Sequence, residues 1–127
     1  MKKLRMAQIG VGYWGPNLLR NLVSNDKCDV RVVADLSKER RDYVSGLYSQ
    51  IDVTHDVESI LKNRSIDAVV ISTPVSTHFE LVIKTLESDK HVLIEKPMAT
   101  SVDQVDKIQE MAKAKNKVVM SGHTFVF

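Results

Sequence analysis

The chain has 127 residues, which allows one domain and leaves little over for a second, because a domain averages about 150 residues. Hydrophobic residues make up 43% and charged residues 27%, a balance that supports a buried core and argues against a disordered or collagen-like chain. Eighteen basic and sixteen acidic residues give a formal charge of +2 without a run of like charges, which does not indicate a nucleic-acid-binding protein.

Short β-branched runs alternate with longer amphipathic stretches, the order expected when each strand reaches a parallel neighbour across a helix. The predicted elements are strand 4–9, helix 16–24, strand 29–34, helix 38–47, strand 50–53, helix 57–62, strand 68–72, a helix from Thr77, strand 91–94, a helix from Ser101 to about residue 115, and strand 118–120. Together they predict an α/β protein with a doubly wound, mostly parallel six-stranded sheet in a three-layer α/β/α arrangement, the Rossmann fold.

Three of the predicted helix starts carry capping signals. Asp56 precedes the short third helix, where its carboxylate can accept a hydrogen bond from a free backbone N–H. Thr77 with Glu80, and Ser101 with Gln104, have the spacing of a capping box, in which the two side chains bond each other's backbone.

The segment Gly10-Val11-Gly12-Tyr13-Trp14-Gly15 matches G-x-G-x-x-G between the first predicted strand and the first predicted helix. Gly10 permits a tight turn, Gly12 lets the backbone approach a pyrophosphate, and Gly15 lets the helix pack closely on the strand. The free N–H groups at the helix start then face two phosphates. This context predicts a dinucleotide site rather than an unliganded turn; the rings of Tyr13 and Trp14 either cover the cofactor or pack on a neighbouring element.

Asp35 ends the second predicted strand, twenty positions after the last glycine of the motif. A carboxylate at this place can accept hydrogen bonds from both ribose hydroxyls of an adenosine and would repel a 2′-phosphate, which favours NAD over NADP. NADP remains an alternative, because Ser37, Lys38, Arg40 and Arg41 follow and could bind a 2′-phosphate if the loop turned back.

Two loops follow the fourth and fifth predicted strands, at the sheet edge where this architecture binds its ligand. They read Ser72-Thr73-Pro74-Val75-Ser76-Thr77-His78 and, after Lys90-His91-Val92-Leu93-Ile94, Glu95-Lys96-Pro97-Met98-Ala99. With the glycine motif, these segments closely resemble the amino-terminal domain of the glucose-fructose oxidoreductase, inositol dehydrogenase and rhizopine-catabolism (Gfo/Idh/MocA) family, over essentially the whole chain.

The resemblance implies an NAD- or NADP-dependent oxidoreductase that acts on a secondary alcohol of a sugar, cyclitol or nucleotide sugar. Lys96 would be catalytic, lying beside the nicotinamide and stabilising charge on the reacting oxygen; the alternative is a surface lysine. Glu95 would place the nicotinamide ribose or orient Lys96, with a plain ion pair as the alternative. Pro97 would follow a cis peptide that turns Lys96 toward the cleft.

By the same resemblance, Ser72, Thr73 and Pro74 belong to a loop that runs past the pyrophosphate and the nicotinamide ribose. Proline there removes a donor and stiffens the turn. His78 would face the cofactor cleft; the alternative is a histidine satisfied by hydrogen bonds at the helix end.

Members of this family continue into a second α/β domain that supplies the substrate pocket, a general acid-base residue and the oligomer interface. We therefore assign residues 1–122 to an NAD(P)-binding Rossmann domain and residues 123–127 to the start of a linker into an absent C-terminal substrate and catalytic domain. The fragment is expected to bind NAD with little turnover and is compatible with a monomer. The full-length protein is expected to be a homo-oligomer with a small sugar-like substrate.

Other chemistries find little support in the sequence. Cys28 has neither a disulfide partner nor an evident base, and His55, His91 and His123 lack metal-ligand spacing. No apolar stretch approaches the roughly 18 to 20 residues that span a bilayer, and the start does not read as a signal peptide, so we expect a cytoplasmic protein without a membrane partner. A non-catalytic dinucleotide-sensing module is the alternative function, although the charged pair at 95–96 argues against it; a ligand-free structural domain is a third reading.

Overall fold

The computed structural model describes residues 3–12, 15–95 and 97–121. The strands are β1 (Leu4–Ile9), β2 (Cys28–Ala34), β3 (Asp52–Thr54), β4 (Ala68–Ile71), β5 (His91–Ile94) and β6 (Val119–Ser121). The helices are α1 (Gly15–Ser24), α2 (Lys38–Leu47), α3 (Val57–Leu61), α4 (His78–Glu87) and α5 (Val102–Lys115), and a 3-10 turn, Val75–Thr77, leads into α4. Strands and helices follow one another in the predicted order.

The strands form one sheet in the order β3-β2-β1-β4-β5-β6, and every recorded strand pair is parallel. This confirms the predicted doubly wound α/β fold. The winding reverses between β1 and β4, because β1 pairs with β2 on one side and with β4 on the other. A sheet of this kind opens a crevice outside the carboxyl ends of the strands where the order reverses. The loops after β1 and β4 border this crevice.

Two apolar layers, one on each face of the sheet, make up the core. Val69 and Ile71 belong to the layer that includes α3, α4 and α5, whereas Ala68 and Val70 belong to the layer that includes α1 and α2. Alternate side chains of a strand point to opposite faces, so a strand covered on both faces must be apolar throughout. This explains why β4 shows no polar alternation: its four residues are 0 to 3% exposed.

Two of the three predicted caps form. The Asp56 carboxylate accepts the Glu58 N–H at 3.0 Å, as predicted for α3. The Ser101 hydroxyl accepts the Gln104 N–H at 3.2 Å, but the Gln104 amide oxygen accepts from the N–H and hydroxyl of Thr100 instead of the Ser101 N–H. The box at α5 therefore closes one residue earlier than its spacing predicts.

The capping box predicted for Thr77 and Glu80 is wrong. Thr77 has helical dihedral angles, φ −95° and ψ −10°, because it closes the 3-10 turn, and its side chain makes no cap hydrogen bond. Its hydroxyl donates to the Pro74 carbonyl at 2.6 Å. A capping residue normally needs an extended backbone to present its side chain to the helix end, so the 3-10 turn removes the cap and α4 begins at His78.

The third strand lies at Asp52–Thr54 rather than at the predicted 50–53. Ile51 is 5% exposed and belongs to the core layer of α1 and α2, and its N–H donates to the Tyr48 carbonyl in a turn. Pairing with β2 begins only at Asp52, opposite Val32. The apolar residue therefore anchors the turn before the strand.

Candidate functional site

A cavity of about 680 Å³ lies at the carboxyl ends of β1, β2 and β4, where the winding of the sheet reverses. Six of the predicted site residues line it: Gly10, Gly12, Asp35, Ser72, Thr73 and Pro74. Sequence reasoning missed its apolar wall, which is formed by Ile9, Ala34, Leu36, Val57 and Leu81. It also did not place the polar residues Thr77 and Glu80 at the cavity. The signal available in the sequence for the apolar wall was Leu36, an apolar residue directly after the acid at the end of β2. In the structure Leu36 is 85% exposed.

The glycine motif has the steric properties predicted for it. Gly10 has φ +92°, and a Cβ on it would lie 2.4 Å from the Ser72 carbonyl oxygen, so the turn admits glycine alone. A Cβ on Gly15 would lie 3.1 Å from the Gly10 carbonyl oxygen, which shows how closely α1 packs on the loop. A Cβ on Gly12 would have no described atom within 4 Å and would occupy space at the cavity.

Gln8 holds the two ends of the glycine motif, a role that sequence reasoning missed. Its side chain is completely buried, and its amide nitrogen donates to the Gly10 carbonyl at 2.9 Å and to the Gly15 carbonyl at 3.1 Å. Its amide oxygen is buried without a hydrogen-bond partner in the described part of the chain. A buried amide in a central strand beside a glycine motif was the available signal, because buried polar groups need partners.

The Asp35 carboxylate is tied to the glycine motif. One oxygen accepts the Val11 N–H at 2.9 Å, and the other accepts the Ser37 N–H at 2.9 Å. A carboxylate offers about four acceptor positions, so the bonds made by residues that the structure describes leave two for a ligand. The acid at the end of β2 and the loop at the end of β1 therefore form a single hydrogen-bonded unit beside the cavity.

The basic residues after Asp35 differ in their availability. Arg41 donates to the carbonyl oxygens of the two residues that follow β2, at 2.8 and 3.0 Å, and Lys38 pairs with Asp42 at 2.8 Å. Ser37 caps α2 by accepting the Arg40 N–H at 3.3 Å. Of the four candidates for a 2′-phosphate, Ser37 and Arg40 line the cavity.

The loop after β4 presents a hydroxyl whose hydrogen is already used. The hydroxyl oxygens of Thr73 and Thr77 lie 2.6 Å apart, and the Thr77 hydroxyl donates to the Pro74 carbonyl. Because a hydroxyl carries a single hydrogen, Thr73 must be the donor in its contact with Thr77. Thr73 therefore faces a ligand as an acceptor only, which suits a sugar hydroxyl better than a phosphate.

His78 is 3% exposed and does not line the cavity. Its Nδ1 lies 2.8 Å from the Pro97 carbonyl oxygen, and its Nε2 lies 2.8 Å from the Thr73 carbonyl oxygen. Carbonyl oxygens only accept, so the ring donates to both only when each nitrogen carries a proton. The ring thus contacts carbonyl groups of the loops after β4 and β5, whereas the alternative left open by the sequence was a histidine satisfied by hydrogen bonds at the helix end.

The structure describes only some of the residues predicted for the nicotinamide end of the site, and neither aromatic residue of the glycine motif. Tyr13, Trp14 and Lys96 lie outside the described residues, and so does the peptide that joins Lys96 to Pro97. Glu95 directly follows β5 and is half-buried, whereas Pro97 is exposed. The roles assigned to these five residues stay predictions.

The opposite edge of the sheet carries polar groups of a different kind. The buried Lys90 donates to the carbonyl oxygens of Asn63 and Ile66, and its burial lowers the pKa of the ammonium. Burial also raises the pKa of the Cys28 thiol, which disfavours the reactive thiolate.

Across the ranges 3–12, 15–95 and 97–121, no three His, Cys, Asp or Glu side chains are placed to hold a metal ion. In the same ranges no helix has the length and apolar character needed to cross a membrane.

Comparison with known proteins gives consistent matches. The model of the Gfo/Idh/MocA family, an oxidoreductase family with an NAD-binding Rossmann fold, matches residues 4–123. The chain is 30% identical over 127 residues to the 2,7-anhydro-N-acetylneuraminate hydratase of Mediterraneibacter gnavus, which covers 100% of the chain and 33% of that protein. It is 30% identical over 121 residues to the scyllo-inositol 2-dehydrogenase (NAD(+)) of Bacillus subtilis, which covers 94% of the chain and 35% of that protein.

Among solved structures, an NAD-binding protein from Listeria innocua matches with a TM-score of 0.88 and 31% identity, over 94% of this chain and 35% of that one. The chain thus spans about a third of the length of the relatives it matches.

Proposed function

The chain belongs to the Gfo/Idh/MocA oxidoreductase family, as its NAD-binding Rossmann domain, and from this premise we propose that the cavity beside the glycine motif binds the adenosine and pyrophosphate of NAD. The observation that carries the proposal is the hydrogen bond from the Val11 N–H to the Asp35 carboxylate. This bond joins the Asp35 carboxylate, which is suited to bind an adenosine ribose, to the glycine motif, which is suited to bind a pyrophosphate, and both line the same cavity.

The proposed preference for NAD over NADP rests on charge and hydrogen bonding at Asp35. A ribose diol donates two hydrogen bonds, and the carboxylate keeps two acceptor positions for them. A 2′-phosphate would meet the negative charge of Asp35 instead, and desolvating two like charges is costly. Arg40, which also lines the cavity, is the residue that would favour NADP.

For the complete protein, we propose hydride transfer between the nicotinamide and a secondary alcohol of a sugar, cyclitol or nucleotide sugar. Lys96 would donate a hydrogen bond to the reacting oxygen, and Glu95 would position the nicotinamide ribose or Lys96. The hydride leaves the carbinol carbon, and the hydroxyl proton passes to a base outside this chain. The relatives' names include a dehydrogenase and a hydratase, so the substrate is proposed only as a small sugar-like molecule.

Calorimetric titration of the chain with NAD and with NADP tests the proposed site. We expect NAD to bind at least about tenfold more tightly, which is about 1.4 kcal/mol, and we expect Asp35→Ala to abolish that preference. Asp26→Ala is the matched control, because Asp26 is exposed and precedes β2, at the opposite end of the strand from Asp35. Tighter binding of NADP, or no binding of either dinucleotide, would contradict the proposal.

The proposed reaction is tested in a protein of the matched relatives' length that includes this chain. We expect that protein to reduce NAD with at least one member of a panel of sugars and cyclitols, and we expect Lys96→Ala to lower kcat by about a hundredfold. Complete absence of hydride transfer would favour the dinucleotide-sensing alternative.

A further inference from the structure

We propose that His78 is a positioning residue for the nicotinamide end of the site, one that acts by fixing the loop after β5 against the loop after β4. The inference rests on the proposed dinucleotide site. In it, His78 acts through the two loops and does not touch the cofactor. The inference starts from the two contacts of the buried ring, to the carbonyl oxygens of Thr73 and Pro97, each at 2.8 Å.

The ring connects two loops that the sheet does not connect. The pairing of β4 with β5 ends where Ile71 lies opposite Ile94, and both loops begin beyond that point. Among the described residues, no backbone hydrogen bond joins 72–77 to 95–100. The two contacts of His78 are therefore the polar link between these loops in the described part of the chain, and both are hydrogen bonds when each ring nitrogen carries a proton.

The two loops depend on this link to different extents. The loop after β4 has hydrogen bonds of its own, from the Ser72 N–H to the Ile9 carbonyl and between the hydroxyls of Thr73 and Thr77. It would keep its shape without the histidine. It therefore serves as the fixed side of the link.

The described part of the loop after β5, residues 95 and 97–100, has fewer restraints. Ile94 ends the strand, and the next fixed points are Ala99, which is 8% exposed in the core, and Thr100, which bonds Gln104. Between them, the Pro97 carbonyl is held by the histidine ring. Pro97 directly follows Lys96 in the chain, so the link restrains the backbone next to the proposed catalytic lysine.

The adenosine half of the proposed site does not depend on this link. Asp35 and Gly12 are placed by β1, β2 and the Val11 N–H, none of which contacts the histidine ring through a hydrogen bond. Loss of the ring should consequently weaken interactions with the nicotinamide half of a dinucleotide while leaving the adenosine and pyrophosphate contacts in place.

Calorimetry with NAD and with ADP-ribose isolates the contribution of the nicotinamide ring, because ADP-ribose keeps the pyrophosphate and both riboses but lacks that ring. We expect the wild-type chain to bind NAD more tightly than ADP-ribose. We expect His78→Phe, which keeps a ring but has no donor, to weaken NAD by about tenfold and ADP-ribose by less than about twofold. His78→Gln, which restores one donor, should recover part of the difference.

Thr85→Val is the matched control. Thr85 is completely buried in the same helix, and its hydroxyl donates to the Leu81 carbonyl within that helix, away from both loops. This variant should lose stability without changing the ratio of NAD to ADP-ribose affinity. If His78→Phe weakens both ligands equally, as a loss of stability alone would, the proposal is wrong; equal binding of the two ligands by the wild type would also overturn it. Failure of the wild type to bind either ligand would instead remove the proposed function itself.

Hydrogen–deuterium exchange gives a readout that needs no ligand. In His78→Phe, or in His78→Gln if the first variant does not fold, amides 98–100 should exchange faster while those of the core strand β4 remain protected. Unchanged exchange at 98–100 in a folded variant would show that the ring does not restrain this loop.

Discussion

Gly10 and Gly12 are two positions apart, but a side chain at Gly10 would clash with the backbone, whereas one at Gly12 would not. A Cβ on Gly10 would lie 2.4 Å from the Ser72 carbonyl oxygen, and that part of the backbone is held by the bond from the Ser72 N–H to Ile9. Gly12 instead borders open space at the cavity. The fold itself therefore requires Gly10, whereas only a ligand would use the space beside Gly12.

We expect Gly12→Ala to fold with a free energy of unfolding within about 0.5 kcal/mol of wild type and to lose about tenfold or more in NAD affinity, because the methyl group occupies the ligand's space. Urea denaturation and calorimetry measure the two quantities. Gly10→Ala should lose roughly 2 kcal/mol or more of stability, since strain and a backbone clash combine. Unaltered NAD binding by Gly12→Ala would mean that the pyrophosphate does not approach this residue.

At the scale of the element, α5 shows how local signals delimit a helix. The Ser101 hydroxyl caps its first turn, and Asn116, in the left-handed conformation at φ 55°, ends it. Lys115 near its end pairs with Asp89 at 2.9 Å, which holds the pKa of that carboxyl below its usual value. Ile108, which is completely buried, attaches the helix to the sheet. Its ends are thus set by short-range chemistry and its position by packing.

Ser101→Ala should lower the free energy of unfolding by about 1 kcal/mol, because the Gln104 N–H loses its acceptor. Ser45→Ala is the matched control: Ser45 is exposed inside α2, where alanine is the better helix former, so we expect no loss of stability. Equal effects of the two variants in urea denaturation would show that the cap at α5 contributes nothing.

At the scale of the whole molecule, polar side chains link neighbouring strands at their amino-terminal ends, opposite the end that carries the cavity. Arg5 pairs with Asp67 at 3.0 Å, and His91 accepts the Val118 N–H on its Nδ1 at 3.0 Å. Burial lowers the pKa of His91, and the charge of Lys117 lowers it further, against the opposing effect of Asp67. The folded molecule therefore favours the neutral ring, which is also the form that can accept this hydrogen bond.

Stability should consequently decrease as the medium becomes acidic. The unfolded chain, in which the histidine has its ordinary pKa of about 6.5, binds the proton more readily than the folded chain does. The contribution of His91 is fully present above that pH and is lost as the pH falls through the lowered folded-state value. We expect the melting temperature to drop between about pH 7.5 and about pH 5.5, and to drop less in His91→Asn, which keeps an acceptor but does not titrate. Identical pH profiles for the two proteins would rule out this role for His91.

The amino-acid sequence by itself determined the order of strands and helices, the layer architecture and three segments that line the cavity: the glycine motif, Asp35 and the start of the loop after β4. These follow from the alternation of apolar runs with amphipathic stretches, and from motifs whose chemistry lies within a few residues, such as the glycines of 10–15 and the acid at position 35. Each signal is short-range, so it can be read before the chain folds.

The tertiary structure decided which partners the polar groups take. The start of β3 depends on pairing with β2, and the failure of Thr77 to cap α4 depends on the turn before it. Gln8 bonds carbonyl groups of the glycine motif, and His78 contacts carbonyl groups of the loops after β4 and β5. Two of the three basic residues after Asp35 are used elsewhere. A hydrogen bond forms only where distance and direction allow, and these depend on how separate segments of the chain pack together.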